Sequence, residues 1–185
     1  AFELGTKDFT AQMLKVRQSG AEALVVVTYA GDQSRIMRQL SDFELTIPVA
    51  GGVDTPYIVQ AAAGQADAAQ LLPDGTYFYS DYIPGETHAG VEAFRKAYVA
   101  KYGKDPLDIE YEGWLAMSIL ADALQKQGST DSGEVLREAI QNVRLDLGGR
   151  LVEFSGNGDQ KKLITYIGKM NGGRIDLIDV IESDQ

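Results

Sequence analysis

The chain has no cysteine among its 185 residues. Disulfides, thiolate metal sites and cysteine nucleophiles are therefore excluded, while the compartment stays open. Its lone histidine, His88, rules out a multi-histidine metal site and restricts histidine-based catalysis. No stretch approaches the roughly 18 apolar residues of a membrane span, so the chain is not expected to cross a bilayer. A Gly-x-Gly-x-x-Gly phosphate loop is missing, which argues against a small flavodoxin-like enzyme. Cations are scarce. Lys and Arg number 17 against 27 Asp and Glu, for a formal charge of −10. A surface of that sign repels phosphate backbones, so no nucleic-acid partner is expected. The first residue is Ala1, without a charged-then-apolar leader, as expected of a processed or trimmed product or an expressed fragment.

What is present points to a packed α/β chain. Hydrophobic residues make up 44% and charged residues 24%, a balance that folds rather than staying disordered. Phe2 to Leu4 reads as a short strand. Asp8 stands where a helix N-cap is expected, followed by Phe9, Met13 and Val16 on one helical face and Gly20 as the stop. Leu24 to Val27 is an unbroken apolar run, the pattern of a strand buried on both faces. An amphipathic helix over 33–43, a strand at 47–50, a Gly-rich turn with Pro56 opening the next helix, and a strand at 76–79 follow. The alternation predicts successive βαβ units.

After Pro84 the pattern changes. Residues 86–143 are helical in character, with stripes at Val91, Phe94, Tyr98 and Tyr102, then at Trp114, Met117, Leu120, Ala121 and Leu124, ended by Gly103 and Gly128. Asp131 with Glu134 predicts a third helix start, carrying Val135, Ile140 and Val143 inward. The Asn157-Gly158 turn introduces two alternating strands joined by Asn171-Gly172-Gly173. Composition thus divides the chain near residues 83 and 156.

In open α/β sheets ligands sit beyond the carboxyl ends of the strands. Thr28-Tyr29-Ala30-Gly31 lies at one such end, where Gly31 permits close backbone approach and the following helix presents free amides. The next strand ends likewise, in Gly51-Gly52-Val53-Asp54. Tyr29, Ala30, Gly52, Val53 and Asp54 are therefore the candidate ligand-binding residues, for a small organic anion. The plain alternative makes both turns capped connecting loops. Elsewhere, His88 reads as a surface residue, and Asp105, Asp108 and Glu110 as helix-capping groups. Asn157 to Asp159 lacks the ligand pattern of a calcium loop. Tyr77, Tyr79 and Tyr82 alternate along a strand; half-buried strand packing is the leading account, and lining the cleft near a crossover is the alternative.

Several stretches in order resemble the branched-chain amino-acid-binding proteins of bacterial ABC transporters, the leucine/isoleucine/valine type. They are Lys7-Asp8-Phe9-Thr10-Ala11, Ala23 to Tyr29, Ile36 to Leu40, Ala63-Gly64 with Asp67-Ala68-Ala69, Phe94 to Tyr98 leading to Tyr102-Gly103-Lys104-Asp105-Pro106, Trp114 to Leu124, and Phe154 to Asp159. The resemblance implies a type I periplasmic-binding-protein-like fold of Rossmann-like, flavodoxin-like βαβ units, in which two lobes joined by three crossovers close on a ligand. On that template the chain corresponds to the C-terminal portion: 1–82 to part of lobe two, 83–155 to the helical end of lobe one, and 156–185 to the return crossover and final strands. The N-terminal half is expected to be lacking.

The resemblance further implies an exported, periplasmic, non-enzymatic binder of a small carboxylate-bearing molecule or amino acid, needing no cofactor, metal or catalytic residue, and serving an ABC transporter permease. Tyr29 stands where the family's tyrosine touches ligand. Val53 or Asp54 falls near the acidic residue that pairs with the ligand amine. If Asp54 only caps a helix, the ligand is a simple carboxylate. Apolar helix faces left uncovered in the middle section predict a homo-oligomer, in one form an interlocked, domain-swapped dimer. The rival functions are a ligand-sensing receptor or regulatory domain of the same fold, and a truncated oligomeric form that has lost binding.

Overall fold

Helices and strands alternate through the first eighty residues of the computed structural model, which describes residues 1–62, 75–127 and 133–184. The Ala63-Gly64 and Asp67 to Ala69 matches, the Gly128 stop and the Asp131 cap lie outside the described residues. The elements are α1 (Thr10–Ser19), β1 (Leu24–Val26), α2 (Ala30–Asp42), β2 (Val49–Gly51), α3 (Thr55–Ala62), β3 (Tyr77–Ser80), α4 (Ala89–Tyr102), α5 (Asp108–Gln127), α6 (Gly133–Gln141), β4 (Arg144–Asp146), β5 (Leu151–Glu153), β6 (Lys162–Asn171) and β7 (Arg174–Asp184). Two compact units share them. Unit 1 comprises Ala1–Ser80 and Tyr166–Asp179; unit 2 comprises Asp81–Thr165 and Val180–Gln185.

Unit 1 is built on a sheet ordered β1-β2-β3-β6-β7. β1, β2 and β3 run parallel, in the register Val25–Ala50–Tyr77 and Val26–Gly51–Phe78, and β6 is antiparallel to β3. β6 and β7 are joined through Gly172 and Gly173, both at positive φ (56° and 75°), the geometry of a two-residue hairpin turn. The mixed sheet with βα crossovers is the α/β class expected. The core of the unit gathers Phe9 and Met13 of the α1 region, Val26, Val49, and Ile36, Met37 and Leu40 of α2, all under 8% exposed.

Three local expectations are corrected in this unit. Phe2 to Leu4 is not a strand. The segment is an irregular strap stitched to α2 by side chains: Gly5 N–H donates to Asp32 Oδ2 (3.1 Å), Arg35 Nε to the Thr6 carbonyl (3.1 Å), and Phe9 N–H to Gln39 Oε1 (2.7 Å). Asp8 does not stand at the N-cap, which is Phe9; its carboxylate accepts from the Thr10 amide two residues on. β1 is not buried on both faces either. It stands at the sheet edge, with Val25 72% and Val27 66% exposed. Strand alternation sends Val26 toward α2 and its two neighbours to the opposite face.

Unit 2 packs α4, α5 and α6 around Tyr82, Val91, Tyr111, Leu115, Ile119 and Val143. Aromatic rings dominate it: Phe94 stacks on Trp114 (4.8 Å between centroids) and Tyr82 on Tyr111 (5.2 Å). The buried stripe of α5 is Tyr111, Leu115, Ile119 and Ala123, one residue out of phase with the expected stripe, and Met117 is 63% exposed. The large, partly buried Trp114 lies beside that stripe rather than at its centre. The middle section also carries an antiparallel hairpin, β4–β5, that the sequence pattern hid. Its turn packs on the start of α4, where Gly90 N–H donates to the Leu147 carbonyl (3.0 Å).

Candidate functional site

The carboxyl ends of β1 and β2 open into a cavity of about 420 Å³ in unit 1. Its wall includes Val27 and Tyr29 after β1, Gly52, Val53 and Asp54 after β2, and Tyr79 of β3. Phe2 and Leu4 of the N-terminal strap close another side. Of the five residues singled out from sequence, four therefore meet around one space. Ala30 does not line it; it is the first residue of α2.

Each wall residue is held for a physical reason. Tyr29 is the N-cap of α2, in extended backbone (φ −65°, ψ 151°), and its carbonyl accepts from the amides of Asp32 and Gln33. That fixes the backbone while the side chain stays out, 65% exposed. Behind the turn, the fully buried Gln33 donates from Nε2 to Thr55 Oγ1 (2.9 Å), bolting the start of α2 to the start of α3. Gly51 passes directly over this pair. A Cβ there would lie 2.0 Å from Thr55 Oγ1 and 2.4 Å from Gln33 Nε2, so only glycine fits. Gly52 faces the cavity instead, and a Cβ there would meet Val27 Cγ1 at 3.6 Å, ordinary contact.

Asp54 stands immediately before α3, and its carbonyl accepts from the Tyr57 amide. Its carboxylate lines the cavity and makes no hydrogen bond among the described residues; partial burial raises its pKa above the ordinary 3.8. Of the two readings of Tyr79, strand packing and cleft lining, the β2–β3 register favours the second: it carries the ring beside Gly52, next to the cavity. Period-two alternation of Tyr77 and Tyr79 was the available signal; which strand end they faced needed the strand order. Two phenol faces, an apolar floor, one carboxylate and the N-terminal end of α2 suit a small molecule with an apolar body and charged groups at one end.

The other polar candidates read from the sequence, His88, Asp105 and Glu110, have structural partners. His88 is the N-cap residue of α4, not a loose surface group: its Nδ1 lies 2.7 Å from Oε1 of the buried Glu86. Glu110 accepts from the Leu107 amide (3.1 Å) and Asp105 pairs with Arg95 (2.7 Å), so this acidic group caps and braces α5 and α4. Among the described residues no cluster of three His, Asp or Glu side chains is placed to hold a metal.

Parallel strands with a cavity at two adjacent carboxyl ends define an α/β protein organised around a crevice at its strand ends. More specifically, the chain belongs to the periplasmic binding protein family, whose model matches residues 1–174. Among solved structures it is similar to a leucine-binding protein, LivK, from Thermotoga maritima MSB8, at 25% identity and a TM-score of 0.83, covering 97% of this chain and 50% of that one. It is similar also to the branched-chain amino-acid transporter substrate-binding protein LivJ from Streptococcus pneumoniae, in complex with isoleucine (24%, TM-score 0.79, 98% and 51%). A solute-binding protein from R. palustris in complex with benzoate shares the fold at 19% identity (TM-score 0.77, 97% and 48%). The chain spans about half the length of these relatives. No curated protein sequence matches it.

Proposed function

We propose that this chain forms one wall of the ligand crevice of an extracytoplasmic solute-binding protein that delivers a small carboxylate-bearing molecule, an amino acid, to an ABC importer. The observation that carries the reading is the convergence of Tyr29, Gly52, Val53 and Asp54 on one cavity at the ends of two parallel strands. A solvent-open carboxylate without a protein partner suits an ammonium group, and a phenol face suits an aliphatic or aromatic side chain. Relatives that carry isoleucine and benzoate mark the two poles of the range: amine-bearing and amine-free carboxylates. The expected assignment of 1–82, 83–155 and 156–185 to parts of two lobes belongs to the same reading.

Calorimetry against leucine, isoleucine, valine and benzoate tests it. Heat from the amino acids that disappears in Asp54→Asn supports amine recognition. Heat from benzoate that survives this substitution moves the ligand to a simple carboxylate. Silence across the panel sinks the binding role and leaves a chain that has lost it. Self-association with a second copy is part of the proposal, supported by the exposed Val25 on β1 and Val27 just after it, β1 being an edge strand of the sheet among the described residues. Light scattering should show dimers that Val25→Lys dissociates; a monomer at millimolar concentration rules this out.

A further inference from the structure

We propose that unit 2 holds a second small-molecule site, specific for a primary alkylammonium ion, between Asp81, Glu112 and the hydroxyl of Tyr111. A cavity of about 230 Å³ lies there, large enough for a short aliphatic chain. Tyr111 lines it and is fully buried, and its hydroxyl has no hydrogen-bond partner among the described residues. Buried hydroxyls are ordinarily satisfied, so an unsatisfied one beside a cavity calls for a polar occupant.

The charges around it select the sign. Arg150 is buried with its guanidinium 4.9 Å from the centre of the Tyr111 ring. It is already engaged: Nη1 donates to the Asp81 carbonyl (3.3 Å) and lies 3.8 Å from the carboxylate of the buried Glu86. Two further carboxylates line the cavity, those of Asp81 and Glu112, both solvent-accessible. The pocket therefore carries excess negative charge. An anion entering it would meet both carboxylates, whereas a cation meets two acceptors and the phenol oxygen. An ammonium has three donors and no acceptor, which matches that set.

Burial raises the pKa of Asp81, against the opposing pull of Arg150, and raises that of Glu112, with the Asp81 charge adding to it. Both shifts arise chiefly from burial, and a cation bound between the two carboxylates would lower them. The Tyr111 hydroxyl is pushed up to about 12 by burial, with Arg150 opposing and Glu86, Asp81 and Glu112 adding, so it stays protonated at neutral pH. Apart from Gln160, the rest of the wall is apolar: Leu115, Ile119, Leu163 and Ile164 would accept an alkyl tail. None of this involves the cavity at Tyr29, so the site stands or falls apart from the transport reading.

The test is a titration of the intact chain with n-butylammonium chloride, n-butanol and sodium butyrate, followed by amide NMR shifts at neutral pH and low salt. Butylammonium should bind saturably, with shifts centred on residues 81, 111 and 112, and butanol several-fold more weakly. Asp81→Asn and Glu112→Gln should each weaken it about two- to five-fold, the range of a part-exposed ion pair. Tyr111→Phe should weaken it too while leaving the free protein's spectrum folded, and Asp54→Asn should change nothing here. Equal binding of butanol, an unaltered affinity in the Asp81→Asn/Glu112→Gln double variant, or no saturation with butylammonium overturns the proposal.

Discussion

Two adjacent glycines should respond oppositely to the same substitution. Gly51→Ala places a methyl group 2.0 Å from Thr55 Oγ1 and 2.4 Å from Gln33 Nε2, both in a fully buried pair. Neither atom can swing into solvent. The hydrogen bond between them must break or the α3 start must shift. Leaving buried donors and acceptors unpaired costs about 1–3 kcal/mol, and overpacking adds about 1–3 kcal/mol. A loss of about 2–6 kcal/mol should appear as a lower urea midpoint with the slope unchanged. Gly52→Ala meets its nearest side chain at 3.6 Å, and its backbone is not in the left-handed region. It should be neutral or up to about 1 kcal/mol stabilising, because alanine restricts the unfolded chain more than glycine does. The cost of Gly51→Ala should also shrink in a Thr55→Ala background, since the closest obstructing atom is then gone. Equal effects at the two positions, or a Gly51→Ala cost under about 1 kcal/mol, would refute the idea that the Gln33–Thr55 bolt sets the crevice wall.

Asp54, Asp81 and Glu112 all hold their protons more tightly than the ordinary 3.8, 3.8 and 4.5, with burial the largest cause. The native chain then binds more protons than the unfolded chain just above those values, so their contribution makes stability fall as pH rises through the native pKa values. Asp54→Asn and Glu112→Gln should flatten that fall in urea titrations run from pH 4 upward; a steeper fall contradicts the assignment. Tyr111→Phe removes a buried hydroxyl without a described partner and should change unfolding free energy by between zero and about +1 kcal/mol, where a satisfied tyrosine would lose about 1 kcal/mol. Gly90→Ala would set a Cβ 2.9 Å from the Leu147 carbonyl carbon and oxygen and should cost about 1–3 kcal/mol, read as a lower melting temperature.

The α/β class, the Gly20 and Gly103 helix stops and the β6–β7 hairpin were legible because each rests on a local rule: period, cap or turn. Tyr29, Gly52, Val53 and Asp54 were legible as neighbours because two parallel strands in sequence end at the same sheet edge. What failed depended on the identity of distant partners. The Val-rich run of β1 carries no mark of whether one face or two will be covered, since Val25 and Val26 are chemically the same residue. Phe2 to Leu4 looks extended locally, but the residues that follow it, Gly5, Thr6 and Phe9, are tied to the Asp32, Arg35 and Gln39 side chains of α2 rather than to a neighbouring strand. In α5, the bulk of Trp114 drew the inward face one residue away from Tyr111, whose hydroxyl gave no hint of lying in the interior. The Asp54 carboxylate was split between cap and crevice, and no local pattern distinguishes those roles.

Trp114 is the sole tryptophan in the chain, and it stacks on Phe94 inside unit 2. Selective excitation of indole therefore reads that half of the molecule alone, whereas backbone circular dichroism sums both units. An unlabelled sample thus carries one local and one global optical clock, and a denaturation in which they keep different time would show the halves losing order one after the other.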